Sequence, residues 1–257
     1  MTDLLAIGSG GVVGFALGLL GGGGSILAVP LLVYVVGVRS PHVAIGTSAL
    51  AVAVNAFTNL IAHSRAGHVK WPCAATFAAA GVGGAALGAR LGQMVDGRQL
   101  LFLFGLIMLA VAAAMFGPRA AQGDPDVRID RTIAVRLVAI GLFVGALSGF
   151  FGIGGGFLIV PAMMLGSGMA TINAVGSSLV SVGAFGLTTA VSYAFAGLVD
   201  WPIAGLFILG GLGGGLAGVA LAKRLSQRRA VLTRLFAGVV VAVAVFILWR
   251  SAPAVFR

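Results

Sequence analysis

The chain has 257 residues, of which 60% are hydrophobic and 9% charged, and its mean hydropathy is +1.12. A soluble domain carries about a quarter charged residues, so this composition excludes an ordinary globular protein and is typical of a polytopic membrane protein. The net charge of +10 comes from Lys and Arg in short loops and at helix ends, where cytoplasmic orientation signals belong, so we expect no nucleic-acid partner.

Apolar segments occupy most of the chain, and each is long enough for at least one membrane helix of about 20 residues. They predict an all-α membrane domain with about 8–10 membrane segments. In chain order the apolar segments are 4–38, 43–62, 72–95, 99–117, 133–166, 172–199, 202–222 and 231–249.

The first apolar segment, 4–38, contains four consecutive glycines at 21–24. One unbroken helix over this segment would be about 52 Å long, too long for a hydrocarbon core of about 30 Å. Two full spans need about 40 residues, so two short helices with a break at the glycines fit better. A second broken helix is predicted at 137–166, with its break at Gly152–Gly156. Each broken segment is either two short spans or a re-entrant hairpin.

Each predicted break is followed by a new helix N-terminus, near Ser25 in the first half and near Phe157 in the second. Helix N-termini carry about half a positive charge and several unpaired N–H groups, so they bind anions without a cationic side chain. Glycines let a ligand approach this backbone closely. The breaks therefore predict a dry anion site near the midplane. For the pairs Gly14/Gly18, Gly84/Gly88 and Gly214/Gly218 we instead predict close helix packing.

The two halves of the sequence are copies of each other. The glycine pattern that ends in Val29 and Pro30 recurs in the pattern that ends in Val160 and Pro161. Likewise "AIGTS" (44–48) matches "AVGSS" (174–178), and "AGHVKWP" (66–72) matches "AGLVDWP" (196–202). We predict a first membrane repeat at 1–117, a polar cytoplasmic linker at 118–132 and a second membrane repeat at 133–257.

The loop charges predict that the two repeats have inverted topology. The loop 63–70 carries Arg65 and Lys70, whereas its counterpart in the second repeat carries Asp200 and no Lys or Arg. The loop 223–229 is densely basic. Because positive loops stay in the cytoplasm, we place both basic loops and the linker there. Each half then crosses the membrane an odd number of times, as in inverted-repeat transporters.

Polar side chains on the helices complete the candidate site. The hydroxyls of "GTS" (46–48) and "GSS" (176–178) can donate to anion oxygens, or they can bond their own helix or a neighbour. Asn55, Asn59 and Thr189 form either a polar wall or interhelical hydrogen bonds, and His63 is either a proton-coupling residue or an interfacial histidine. The candidate substrate-binding residues are Gly21, Gly22, Gly23, Gly24, Ser25, Thr47, Ser48, Gly152, Gly154, Gly155, Gly156, Ser177 and Ser178.

The glycine-rich break followed by proline, the "GTS" and "GSS" stretches and the duplicated "AG…(K/D)WP" together resemble the TauE/SafE family of sulfite-exporter-like membrane proteins. The resemblance covers nearly the whole chain. It implies export of sulfite or a short organosulfonate, such as sulfoacetate, across the bacterial cytoplasmic (inner) membrane by a multi-pass protein. It also implies a site formed by Gly21–Ser25, Thr47–Ser48, Gly152–Gly156 and Ser177–Ser178. The second break is "GIGGG", so the two half-sites need not contribute equally.

We expect a secondary transporter that works by alternating access. Its expected partners are a small anionic substrate, the lipid bilayer, a coupling proton or sodium ion, and a second copy in a homodimer. An anion channel, or a transporter of another small anion, shares nearly every one of these sequence features. A remote alternative is an intramembrane hydrolase with Ser148 as nucleophile, but all three histidines precede residue 69, and Ser148 aligns with Leu17. We expect neither enzymatic activity nor a bound metal or cofactor. Cys73 is the only cysteine, so a thiolate metal cluster is excluded, and "GIGGG" lacks the strand–helix context of a dinucleotide-binding loop.

Overall fold

The protein is described here from a computed structural model that covers residues 2–116, 123–124, 126–152, 156–224 and 229–255. These residues are helical with short loops and contain no strand, which confirms the all-α prediction. The α-helices are α1 (Thr2–Leu20), α2 (Ala28–Leu31), α3 (Pro41–Arg65), α4 (Trp71–Met94), α5 (Gly97–Phe116), α6 (Arg131–Phe151), α7 (Gly156–Ser167), α8 (Thr171–Phe195), α9 (Trp201–Arg224) and α10 (Arg229–Val255).

Among the described residues, six helices are long and apolar enough to cross a membrane. Four shorter apolar helical stretches accompany them, so the prediction of a multi-pass membrane protein is confirmed. The six long stretches lie in α1, α3, α4, α6, α8 and α9, and the shorter ones are Gly24–Val36, Gly97–Ala113, Leu158–Ser167 and Ala237–Ser251.

α3 and α8 are the central helices of the bundle, since 72% and 67% of their apolar stretches are buried, against 28% for α9. Two hydrogen bonds fix their relative direction. The N–H of Lys70, just before α4, donates to the Ser177 hydroxyl in the second turn of α8 at 2.9 Å. The N–H of Asp200, just before α9, donates to the Thr47 hydroxyl in the second turn of α3, also at 2.9 Å. Each helix therefore begins beside the end of the other, and the two are antiparallel.

The described parts of the segments predicted to be cytoplasmic lie at one end of the bundle, which we call the basic end. Loop 66–70 follows α3 there, and an ion pair of 3.9 Å between Lys70 and Asp126 brings the linker to the same place. α9 starts at the opposite end, beside Thr47, so it also finishes at the basic end, at Arg224. Residues 225–228 of the predicted basic loop lie outside the described residues.

Glycines bring two pairs of parallel helices into backbone contact, α1 with α9 and α4 with α6. A Cβ added at any of the paired glycines would overlap backbone of the partner helix, so only glycine fits. The packing prediction for these pairs is confirmed. Gly14 and Gly18 of α1 face Gly211 and Gly215 of α9. Gly84 and Gly88 of α4 face Leu142 and Ala146 of α6. Gly214 and Gly218 of α9 face Gly11 and Phe15 of α1.

The helix contacts are symmetric between the two predicted repeats. α1 packs on α9 as α6 packs on α4, and α3 contacts α9 as α8 contacts α4. The equivalent helices α3 and α8 pack on each other, as do α5 and α10. Such a contact pattern, in which each repeat makes the same contacts with the other, is expected of two copies related by a twofold axis. The antiparallel direction of α3 and α8 is compatible with inverted repeats. The domain boundaries and the inversion remain predictions.

Candidate functional site

The first glycine run ends α1 at Leu20, where the break is predicted. A helical stretch does start near Ser25, at Gly24, as predicted. It is not a regular α-helix, because Gly21–Leu27 forms a 3₁₀-helix and α2 starts only at Ala28. α2 is four residues long and runs into a π-helical turn at Leu32–Val36. Pro30 does not explain the short helix, since the aligned Pro161 lies inside the twelve-residue α7.

The first broken segment is a hairpin. A Cβ at Gly24 would overlap the backbone of Ala16 and Leu17, so the chain folds back tightly on α1. The chain after the π-helical turn then lines a cavity with Thr2, the first residue of α1. One arm, α1, is long enough to cross the membrane, and the returning arm is the shorter irregular stretch Gly24–Val36.

The second break differs from the first. α6 ends at Phe151, and Gly152 caps it with a φ of 67°, in the left-handed region that favours glycine. α7 starts at Gly156, which confirms the predicted N-terminus near Phe157 to within a residue. Gly154 and Gly155 lie outside the described residues.

The two broken segments meet in the interior. α7 packs against the 3₁₀-helix, and α8 contacts it as well. Ser25 and Ile26 on this 3₁₀-helix are at most 1% exposed. The Gly152 cap faces the side chain of Ile45, two residues before Thr47. The structure therefore brings the first break, the second break and the start of α3 together.

The four candidate hydroxyls of α3 and α8 are all buried, and their bonds follow one scheme in both repeats. Thr47 and Ser177 each accept from the loop backbone of the opposite repeat, as given above. Ser48 donates to the Ile45 carbonyl at 2.9 Å, and Ser178 donates to that of Val175 at 2.8 Å. Thr47 and Ser177 use only their oxygens as acceptors in these bonds, so their O–H groups can still donate to a ligand.

Asn55 and Asn59, the predicted polar wall, line a cavity of about 200 Å³ between α3 and α9. Thr189 does not line it; this residue is buried on α8, and its hydroxyl has no hydrogen-bond partner among the described residues. His63 lies near the basic end of α3, with its ring centroid 5.7 Å from that of His68. Within the described part of the chain, no cluster of three or more His, Cys, Asp or Glu side chains forms a metal site.

Sequence reasoning missed the hydrogen bonds between the repeats. The signal was present, because "GTS"/"GSS" and "AG…(K/D)WP" are both duplicated with the same spacing. Their partnership is a long-range contact between opposite repeats, so it becomes visible only when α3 and α8 are seen to be antiparallel.

The family model described as "Sulfite exporter TauE/SafE" matches residues 6–247. A "Probable membrane transporter protein" of Xylella fastidiosa is 54% identical, with 96% of this chain and 95% of the relative covered. "Probable membrane transporter protein YunE" of Bacillus subtilis is 26% identical over 90% and 93% of the two chains, and a probable membrane transporter of Methanocaldococcus jannaschii is 29% identical over 69% and 67%. No solved structure matches.

Proposed function

Because the chain belongs to the sulfite exporter TauE/SafE family and is thus a multi-pass membrane transporter rather than an enzyme, we propose that it exports a small sulfur oxyanion across the cytoplasmic membrane. The substrate is sulfite or a short organosulfonate such as sulfoacetate. Export proceeds by alternating access, coupled to a proton or sodium ion, in a homodimer. The observation that carries the proposal is the buried meeting of the two broken segments, α7 against the 3₁₀-helix.

The chemistry of the broken segments suits an oxyanion. Sulfite and sulfonates present three oxygens, and the N-terminal ends of helices present several N–H donors and the positive end of the helix dipole. The buried Thr47 and Ser177 hydroxyls offer further donors. Such donors hold an anion in a dry interior without the desolvation cost of a buried lysine.

The two half-sites contribute unequally in this proposal. α7 has 12 residues, enough for a substantial helix dipole, whereas α2 has only four. The start of α7 then provides most of the electrostatic attraction. The 3₁₀-helix at Gly21–Leu27 provides close backbone approach through its glycines.

The test is ligand-dependent thermal stabilisation of the purified protein by sulfite, sulfoacetate, taurine and chloride. A specific ligand at a hundredfold excess over its Kd stabilises the folded state by about 2.7 kcal/mol. We expect this stabilisation with sulfite or a sulfonate, and we expect Ser25→Leu and Thr47→Val to lose it. Thr76→Val is the matched control, since Thr76 is exposed on α4 and donates within its own helix.

Two outcomes contradict the proposal. If no sulfur oxyanion stabilises the wild type, the substrate class is wrong. If flux in proteoliposomes is not saturable and does not respond to an imposed proton or sodium gradient, the protein is an anion channel. Thr47→Val also removes the bond to Asp200, so its stability without ligand is measured first, and only the ligand-dependent part is compared.

A further inference from the structure

A cavity of about 200 Å³ lies between α3 and α9, separate from the meeting point of the broken segments. It starts near the middle of both helices, at Asn55 and Gly211, and extends to Ala62 and Ala220, near their ends. Those ends are at the basic end of the bundle. A cavity holds a water molecule in roughly 10–15 Å³ of such volume, so this one accommodates a small hydrated anion.

Asn55 points to an occupant. The residue is 1% exposed, it lines the cavity, and neither its amide nitrogen nor its amide oxygen has a hydrogen-bond partner among the described residues. A buried amide without a partner is destabilising, so a polar occupant that bonds to it is favoured. Asn59, one turn further toward the basic end, adds a second amide to the same wall.

The opposite repeat fills the equivalent space with an aromatic ring. Asn55 corresponds to Phe185, and Gly211, which lies under the Asn55 amide, corresponds to Gly81. The Phe185 ring lies over Gly81 and stacks on Phe77 with centroids 6.1 Å apart. At this position the groove of the other repeat is therefore filled by a packed ring, whereas the groove toward the basic end is open and carries the amides of Asn55 and Asn59.

The charge at the open end favours an anion. Arg65 closes α3 at this end. Among the described residues, neither Asp nor Glu lines the cavity. Positive charge at the mouth of a cleft raises the local concentration of anions.

We propose that this cavity is the cytoplasmic loading vestibule, in which the Asn55 amide donates to an oxygen of the anion before it moves to the interior site. This inference rests on the proposed function. It also assigns direction, because a polar vestibule exists at the cytoplasmic end and Phe185 closes its counterpart.

The test is cysteine accessibility in inside-out vesicles, in a Cys73→Ala background. The probe is sulfonatoethyl methanethiosulfonate, a membrane-impermeant reagent that carries a sulfonate. Thr58→Cys places a thiol in the cavity. Ile61→Cys is the control, because Ile61 lies on the same helix outside the cavity, is 53% exposed and is nearer the basic end. We expect Thr58→Cys to react more than about tenfold faster, because thiolates form in water and not in hydrocarbon.

Two further results are expected. Asn55→Phe, which copies Phe185 over its glycine, blocks labelling of Thr58→Cys. Sulfoacetate, which unlike sulfite does not react with the thiosulfonate probe, slows labelling in the protein that retains Asn55. The proposal is overturned if Thr58→Cys reacts no faster than Ile61→Cys, since lipid or a second copy then fills the groove. It is also overturned if labelling is fast but sulfoacetate does not slow it, although a sulfur oxyanion stabilises the wild type. Absence of oxyanion stabilisation in the wild type instead contradicts the proposed function, so the two failures are distinguishable.

Discussion

Replacing one glycine of an adjacent pair on α4 tests the backbone packing that holds α4 against α6. A Cβ at Gly84 would overlap the Leu142 carbonyl oxygen, whereas a Cβ at Gly83 meets nothing within 4 Å. Overpacking costs roughly 1–3 kcal/mol. Replacing an unconstrained helical glycine by alanine gains up to about 1 kcal/mol. Because that gain is common to both variants, we expect Gly84→Ala to be less stable than Gly83→Ala by the overpacking cost alone, about 1–3 kcal/mol.

The assay is reversible unfolding in mixed micelles, followed by circular dichroism as the fraction of denaturing detergent is raised. The second repeat provides an internal replicate, because Gly214 faces Gly11 of α1 while Gly213 has open space. Gly214→Ala and Gly213→Ala are expected to differ by the same amount and in the same direction. Equal stabilities within either pair would refute the conclusion that glycine is required there by backbone contact.

Two smaller effects concern the ends of the helices. Thr47→Val and Ser177→Ala each remove one hydrogen bond between the repeats, so each is expected to lower the free energy of unfolding by about 0.5–1.5 kcal/mol. Because the two bonds lie at opposite ends, the double variant should show additive losses in the same unfolding assay, and strong non-additivity would contradict independent bonds. The Asp130 carboxylate caps the N-terminus of α6 by accepting from the Ile133 N–H at 2.6 Å. Asp130→Ala is expected to lower the free energy of unfolding by about 1 kcal/mol, while Asp130→Asn keeps most of the stabilisation by the cap.

The sequence predicts the helices well because hydrophobic length and glycine position are local properties. The break after Leu20 and the start of α7 at Gly156 lie where glycines and segment length place them. The 3₁₀-helix at Gly21–Leu27 and the π-helical turn at Leu32–Val36 were not predictable in this way. Which helical form a short segment adopts depends on what packs against it. The 3₁₀-helix packs against α1, α7 and α8, and the π-helical turn packs against α1 and α3.

The candidate site is harder to predict than the helices, because a hydroxyl in a membrane helix has several competing uses. For Ser48 and Ser178 the structure shows bonds to their own helix. For Thr47 and Ser177 it shows bonds to the opposite repeat, which depend on contacts far apart in sequence. Spacing in the sequence cannot distinguish these uses from ligand binding, since each needs only a hydroxyl on the buried face of the helix.

The positions at which the two repeats differ indicate where direction arises. The packing glycines are duplicated, as with Gly84 and Gly214, so both halves build the same backbone frame. Two polar positions further along α3 are not duplicated, because Asn55 corresponds to Phe185 and His63 corresponds to Tyr193. Two repeats with the same backbone packing make an inward-open and an outward-open state of similar energy accessible. Unequal side chains at equivalent positions then favour one of these two states. Exchanging Asn55 and Phe185 in a double variant should therefore alter the balance between inward- and outward-open states, and it also removes a fully buried ring from position 185.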